Sequence, residues 1–339
     1  MSAALASSSR VTPSMPRDAE FARHGDLAVG VDMGGTQIRV ALVNGQGAVL
    51  ARTATATDAA GGPRAVVRQI RQLFAEVSRG AGPASLAGVG VCMPGPLDSE
   101  AGVVLGIPTL PGWVDIPIVA WLREALDLPV TLENDGVAAA IGEWRFGAGR
   151  GLSDFVYVTV STGIGGGVIA DGRVLRGRRR LAAHLGHMTI LAQGAPCSCG
   201  NRGCWEAQAS GSALGELARR LAAEAPGSDL LRHGPTVTAR HVMEAARAGD
   251  ALGLQLVARE AEFLGMGIVN LLHLFSPQAV VIGGGVSNGF DLLHPGIEAH
   301  VRACALPAFC AVPVVAAQLG QNSGVVGAAC LVLPRSGEP

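Results

Sequence analysis

Residues 27–43 read L-A-V-G-V-D-M-G-G-T-Q-I-R-V-A-L-V, and residues 155–170 read F-V-Y-V-T-V-S-T-G-I-G-G-G-V-I-A. Each stretch is an apolar strand, a glycine turn beside a hydroxyl, and a returning apolar strand. In the first, residues 27–31 and 38–43 flank Asp32-Met33-Gly34-Gly35-Thr36, with a further turn at Asn44-Gly45. In the second, residues 155–160 and 168–170 flank a turn over 161–167, with a further turn at Asp171-Gly172. Two hairpins of one kind, about 130 residues apart, predict a duplicated α/β domain with a cleft between its halves.

The rest of the chain fits that frame. Val66, Val67, Ile70, Leu73, Phe74 and Val77 have helical spacing within 63–77. Residues 86–92 read as a buried strand ending in Pro94-Gly95-Pro96, and 118–126 as a helix. Residues 130–132 form a strand ending in Glu133-Asn134-Asp135, followed by a helix over 137–144. Helices are expected at 211–225, 238–248 and 250–274, then a strand at 279–282 ending in Gly283-Gly284-Gly285. Residues 324–333 read as a helix packing back on the body. The expected organisation is a smaller N-terminal α/β domain (27–132 plus 320–335) and a larger one (133–319). Residues 1–26, rich in Ala, Ser and Arg with no apolar core, read as a disordered tail, with a transit peptide as the alternative.

A chain of 339 residues, 49% of them hydrophobic, has material for two buried cores. A net charge of −1 and the lack of a long basic tract argue against nucleic acid as the main partner. The basic run at 176–180 reads as a solvated loop, or as one lying near a charged ligand. Charge-free stretches at 263–290 and 303–334 are broken by prolines and glycines, so neither is a membrane span. Cys92, Cys304, Cys310 and Cys330 lie in apolar runs and read as reduced core thiols of a cytoplasmic protein. The chain contains no lysine. That excludes a Walker A lysine, a protein-kinase lysine and Schiff-base chemistry. Nucleotide phosphates would have to be held by backbone amides, arginine and a metal ion. Glycine turns at strand ends supply such amides. Asp32 could orient Mg²⁺ or its waters, or simply cap its turn.

Between His187 and Glu206 the chain reads H-M-T-I-L-A-Q-G-A-P-C-S-C-G-N-R-G-C-W-E. His187, Cys197, Cys199 and Cys204 make a four-ligand set suited to a closed, structural Zn²⁺ site, with Gly200 and Gly203 permitting the tight turn. The alternative is three buried thiols and an unrelated histidine.

D-M-G-G-T (32–36), G-V-C-M-P-G-P-L-D (90–98), L-P-G-W (110–113), E-N-D-G-V-A-A-A-I-G-E (133–143), S-T-G-I-G-G-G (161–167), G-H (186–187) and C-S-C-G-N-R-G-C-W-E (197–206) resemble the ROK family of bacterial glucokinases, related sugar kinases and repressors. The resemblance runs collinearly over about residues 27–333. It implies an actin-like ATPase (ribonuclease H-like) fold with duplicated domains, a central cleft and a structural zinc loop. It also implies ATP- and Mg²⁺-dependent phosphorylation of a hexose, glucose to glucose 6-phosphate being the default, and a homodimer or homotetramer. Asp135 resembles the catalytic base and Asn134 a sugar-binding asparagine. Glu206 resembles a carboxylate that accepts sugar hydroxyls, and His187 a histidine that ligates zinc and touches the sugar. Gly34, Gly35, Thr36, Thr162 and Gly163 resemble the phosphate loops, and Gly284 and Gly285 the adenosine loop. Local alternatives are Asn134 as a helix N-cap, Asp135 as a first-turn residue, and Glu206 paired with Arg202.

Two positions depart from the family pattern. His184 stands where a sugar-binding glutamate is usual, and an imidazole offers one donor and one acceptor where a carboxylate accepts two hydrogen bonds. Thr109 replaces an asparagine before L-P-G-W. Both open the alternative of an amino-sugar kinase or one acting on N-acetylmannosamine or N-acetylglucosamine. A non-catalytic sugar-sensing regulator is the third reading. With 31 residues before Asp32, too few for a winged DNA-binding domain, it is disfavoured.

Overall fold

The computed structural model describes residues 26–81, 85–107, 110 and 112–334. Thr109 and all of the 1–26 tail but Asp26 lie outside the described residues. The first half contains β1 (Leu27–Met33), β2 (Gln37–Asn44), β3 (Val49–Ala56), α1 (Gly62–Val77), β4 (Leu86–Met93), β5 (Leu97–Asp98), β6 (Val103–Val104), α2 (Ile118–Leu126) and β7 (Val130–Asn134). The chain then enters α3 (Asp135–Phe146). It continues through β8 (Phe155–Val160), β9 (Ile164–Ala170), β10 (Arg173–Val174), α4 (Trp205–Ala209), α5 (Gly211–Ala222), α6 (Ala239–Arg247) and α7 (Ala251–Phe275). It closes with β11 (Ala279–Gly283), α8 (Phe290–Cys304), β12 (Val314–Ala316) and α9 (Ser323–Ala329).

The duplication is explicit in the sheets. One runs β3-β2-β1-β4-β7 and the other β10-β9-β8-β11-β12. In both, the first three strands are antiparallel and the last two join in parallel. The first core packs α1 and α2 on the first sheet around Val29, Val31, Ile70, Trp113 and Leu122. The second packs α5 to α8 on the other sheet. A third cluster joins them, with Val137 and Ile141 of α3 and Val325, Val326 and Ala329 of α9 lying against Ala28, Ala41 and Val43 of the first sheet. The helix expected at 324–333 packs back on the body but ends early, at Ala329. Helix α9 lies so close to β4 that a β-carbon at Gly90 would collide with the Ala328 carbonyl.

A buried carboxylate fastens this junction. Glu143 is 0% exposed. It accepts hydrogen bonds from the Ala148, Gln318 and Leu319 amides at 2.9, 3.1 and 2.9 Å and from Ser323 Oγ at 2.8 Å. Glu143→Gln would turn an amino group toward those donors. We expect a loss on the order of 3 kcal/mol in unfolding free energy, since a charged acceptor is lost in a buried network. Urea denaturation tests this; an unshifted midpoint would contradict it.

Seven of these elements were not anticipated from sequence: β3, β5, β6, β10, α4, α8 and β12. The second glycine turn is also shorter than expected, because β9 begins at Ile164 and leaves only Ser161-Thr162-Gly163 outside the strands. Cys92 and Cys330 are buried, but Cys304 is exposed and Cys310 only half-buried. The apolar stripe of α8 is Leu293, Ile297 and Val301, and Cys304 lies past its end. Among the described residues, no helix is long and apolar enough to cross a membrane.

Candidate active site

Asn134 ends β7 and caps α3, its Oδ1 accepting from the Gly136 and Val137 amides at 3.0 and 3.3 Å. Asp135 is the first residue of α3, and its Oδ1 accepts from the Gly136 amide at 2.8 Å. Both local alternatives, a cap and a first-turn acid, therefore describe the backbone here. Neither accounts for the electrostatics. Burial, and then the charge of Asp32 across the junction, push Asp135 up from 3.8 to about 6. The helix start is held against β9, where a β-carbon at Gly136 would lie 2.5 Å from the Gly166 amide nitrogen. Behind it, buried Glu133 accepts from the Asn134 amide at 3.1 Å and from Ser99 Oγ at 3.3 Å through Oε1. Its Oε2 takes Arg176 Nε at 3.1 Å.

Neighbouring residues converge on this strand end. A β-carbon at Gly95 would lie 3.6 Å from both Asn134 Nδ2 and His184 Cε1, so His184 and Asn134 share one turn. The His184 and His187 rings are 6.2 Å apart between centroids. Asp32 ion-pairs with Arg39 at 3.1 Å and abuts the start of α9 at Gly324. It does not cap its own turn, which is closed by Gly34 N–H to the Gln37 carbonyl at 2.9 Å, with Thr57 Oγ1 donating to the Gly34 carbonyl at 2.7 Å. Gly35 and Thr36 stand at the open tip, Thr36 exposed.

In the second half, the Ser161 amide bonds the Gly163 carbonyl at 2.8 Å and the Gly211 amide bonds the Ser161 carbonyl at 2.7 Å. The turn is thereby docked on the start of α5. Thr162 lines a cavity of about 730 Å³ together with Gly285, which follows β11. Gly284 takes φ +87°, which glycine adopts without penalty. Arg219, Arg240, Met243 and Arg247 are among the other residues of its wall, with Glu244 beside them. None of these was picked out from sequence, because on α5 and α6 they look like ordinary amphipathic helix positions. Asp32, Gly34, Gly35 and Thr36 are not among its lining residues.

The Cys/His set comes together. His187, Cys197, Cys199 and Cys204 place their donor atoms within 4.8 Å of one another. Cys197 Sγ is 3.6 Å from His187 Nδ1, and Cys199 Sγ is 3.7 Å from Cys204 Sγ. The loop is fixed to α4 by the Trp205 amide on the Met188 carbonyl at 2.8 Å. Glu206, next along α4, uses Oε2 to accept the Ile164 amide at 3.0 Å. That contact, rather than Arg202, is its partner, and it ties the cysteine loop to the Ser161-Thr162-Gly163 turn.

Matching sheets, a glycine turn in each half and a carboxylate of raised pKa at the strand end between them make a mixed α/β protein, and its relatives put it in the sugar-kinase class. The ROK family model matches residues 28–335. The chain is 36% identical over 313 residues to the glucokinase of Thermotoga maritima, covering 91% of this chain and 98% of that one. It is 33% identical over 299 residues to the N-acetylmannosamine kinase of Yersinia pestis, covering 88% and 96%. The structure of a ROK family glucokinase from Streptomyces griseus, in complex with glucose and AMPPNP, superposes with a TM-score of 0.80 at 35% identity, covering 90% of this chain and 99% of that one. This chain belongs to the ROK family.

Proposed function

We propose that this sugar kinase transfers the γ-phosphoryl group of ATP to a hexose, glucose first, yielding glucose 6-phosphate and ADP. The observation that carries the reading is Asp135, an acid raised to about 6 at the start of α3 beside Asn134. A base of that pKa is ionised at neutral pH yet basic enough to take a hydroxyl proton as the phosphoryl group departs toward it. Asn134 Nδ2, His184, His187 and Glu206 Oε1 are the polar groups assigned to the sugar. The amides of Gly34, Gly35 and Thr36, and those of Thr162 and Gly163, are assigned to the phosphates. Gly284 and Gly285 are assigned to the adenosine, whose cavity Arg219, Arg240 and Arg247 border. Mg²⁺ bound with the nucleotide would supply charge screening, and we assign Asp32 to orienting its waters. The two lobes divide at 27–132 plus 320–335 and 133–319, a two-lobed arrangement of the actin-like ATPase type. We assign the protein to the cytoplasm.

His187, Cys197, Cys199 and Cys204 fit a structural Zn²⁺ site. A tetrahedral ion with ordinary Zn–S and Zn–N bonds sets S···S edges of about 3.8 Å and S···N edges of about 3.6 Å. Two of the six donor pairs match these edges, at 3.7 and 3.6 Å, and all four donors lie within 4.8 Å of one another. Ligation through Nδ1 leaves His187 Nε2 available to the sugar. A bound ion would act mechanically there, its four ligands holding the His187 ring and the start of α4 in place.

The second reading is an N-acetylmannosamine kinase, favoured by His184 at the position of the usual glutamate and by the Yersinia relative. An ADP-release assay over glucose, mannose, glucosamine, N-acetylglucosamine and N-acetylmannosamine separates the two. No turnover with any of them would overturn the kinase reading. The pH dependence is fixed in sign. Asp135 acts ionised and its pKa is raised, so kcat/KM should fall as pH drops through about 6 and plateau above it. A profile flat down to pH 5 would remove Asp135 from the base role.

A further inference from the structure

A second cavity, of about 420 Å³, lies where the two halves join, between β7, α3, β10 and the chain following α9. Arg145, Arg176 and Arg180 line it, and no acidic residue is among its lining residues. The three arginines differ in their engagements. Arg145 donates to the carbonyls of Cys330, Leu333 and Pro334 at 3.2, 3.4 and 2.7 Å, and so closes one wall. Arg176 uses Nε on Glu133 at 3.1 Å, and its Nη groups have no partner among the described residues. The Arg180 side chain has no hydrogen bond or ion pair among the described residues, although it is half-buried.

The loop that presents them is strained. Arg179, Arg180 and Ala183 take φ of +56°, +57° and +67°. That left-handed region is costly for residues with a β-carbon, and such strain persists only where the surroundings impose it. Its effect here is to send two adjacent arginines opposite ways: Arg179 to Asp98 at 3.0 Å, and Arg180 to the cavity.

The geometry points to a second anion site, separate from the proposed nucleotide and sugar positions, that takes a small phosphate dianion, either free phosphate or the phosphate of a phosphorylated sugar. Two arginines with free Nη groups match the oxygens of a phosphate, and the Thr131 hydroxyl adds a donor. Trp144 and Val174, also in the lining, offer an apolar surface for a sugar ring, and the volume falls in the range of small-molecule sites. The site touches the catalytic strand end through Arg176 and Glu133, whose Oε1 receives the Asn134 amide. The site itself stands without the kinase reading; only the sugar-phosphate source leans on it.

The test is calorimetric titration of the full chain with inorganic phosphate and, separately, with glucose 6-phosphate. Both are run with glucose and a non-hydrolysable ATP analogue already present at saturation. A preceding titration of the analogue alone checks the kinase reading independently. We expect one anion bound per chain and at least a tenfold weaker Kd in Arg180→Ala, with Arg180→Lys intermediate. The kcat and KM of Arg180→Ala in the absence of added anion should match the parent, which also shows the variant is folded. Glucose 6-phosphate binding tenfold tighter than phosphate identifies the ester as the source, and equal affinities identify free phosphate. Absence of binding by both anions, or equal affinity in the parent and Arg180→Ala, would overturn the site.

Discussion

Asp135→Asn should lower kcat by about a thousandfold and leave the protein at least as stable as the parent. General-base assistance contributes roughly 10²–10⁴ in rate, and an amide cannot take the hydroxyl proton. The stability half follows from the direction of the pKa shift. An aspartate raised to about 6 in the fold, against about 3.9 in the unfolded chain, is disfavoured as an ion by its site. The folded state therefore gains stability as pH falls from 6 toward 4, and carries the penalty in full above 6. Asparagine removes that penalty while Oδ1 can still accept the Gly136 amide. Steady-state kinetics with a thermal melt at pH 7.5 checks both halves. A variant that unfolds would show a structural acid; one that keeps parental kcat would show that the proton goes elsewhere.

Cys199→Ser should abolish stoichiometric zinc and reduce activity about a hundredfold or more. The predicted parent value is about one zinc per chain, from a four-donor closed site. The size of the activity loss comes from position rather than chemistry. Cys204 is followed directly by Trp205 and Glu206, and Glu206 holds the Ile164 amide beside the proposed phosphate turn. Loosening the loop frees His187 and Glu206 together, and displacements near 1 Å at a reacting centre cost about 10²-fold. Elemental analysis paired with the kinase assay reads this directly. Full zinc content and full activity in Cys199→Ser would contradict the site.

Much of the architecture was legible because it is written in local pattern. Helices α1 and α2 show apolar residues at helical spacing, and the two hairpins carry the same strand–glycine–strand signature. Strand β3 was missed because V-L-A-R-T-A-T-A lies at a sheet edge, with alternating exposure and small side chains, so nothing in it reads as core. Helix α8 was obscured by Pro295 and by the glycine run before it. For the site, the family resemblance pointed to Asn134 and Asp135, and ligand chemistry pointed to the Cys/His loop. The basic run at 176–180 stood out by its charge, but which of its arginines faces a cavity did not, and nothing marked Arg145, Arg219, Arg240 or Arg247. Arg180 faces its cavity only because the loop adopts a left-handed turn, and Arg219 and Arg247 sit on helix faces that look solvated. The hydrogen bond from Ile164 to Glu206 depends on two segments 42 residues apart meeting in space.

The most direct measurement is a single-turnover reaction with γ-labelled ATP and excess sugar, following label into hexose phosphate and ADP at pH 7.5. The structure predicts one labelled hexose phosphate per ADP for at least one hexose in the parent, and no more than about a thousandth of that rate in Asp135→Asn. ADP formation without labelled sugar, or equal transfer by the two proteins, would contradict it.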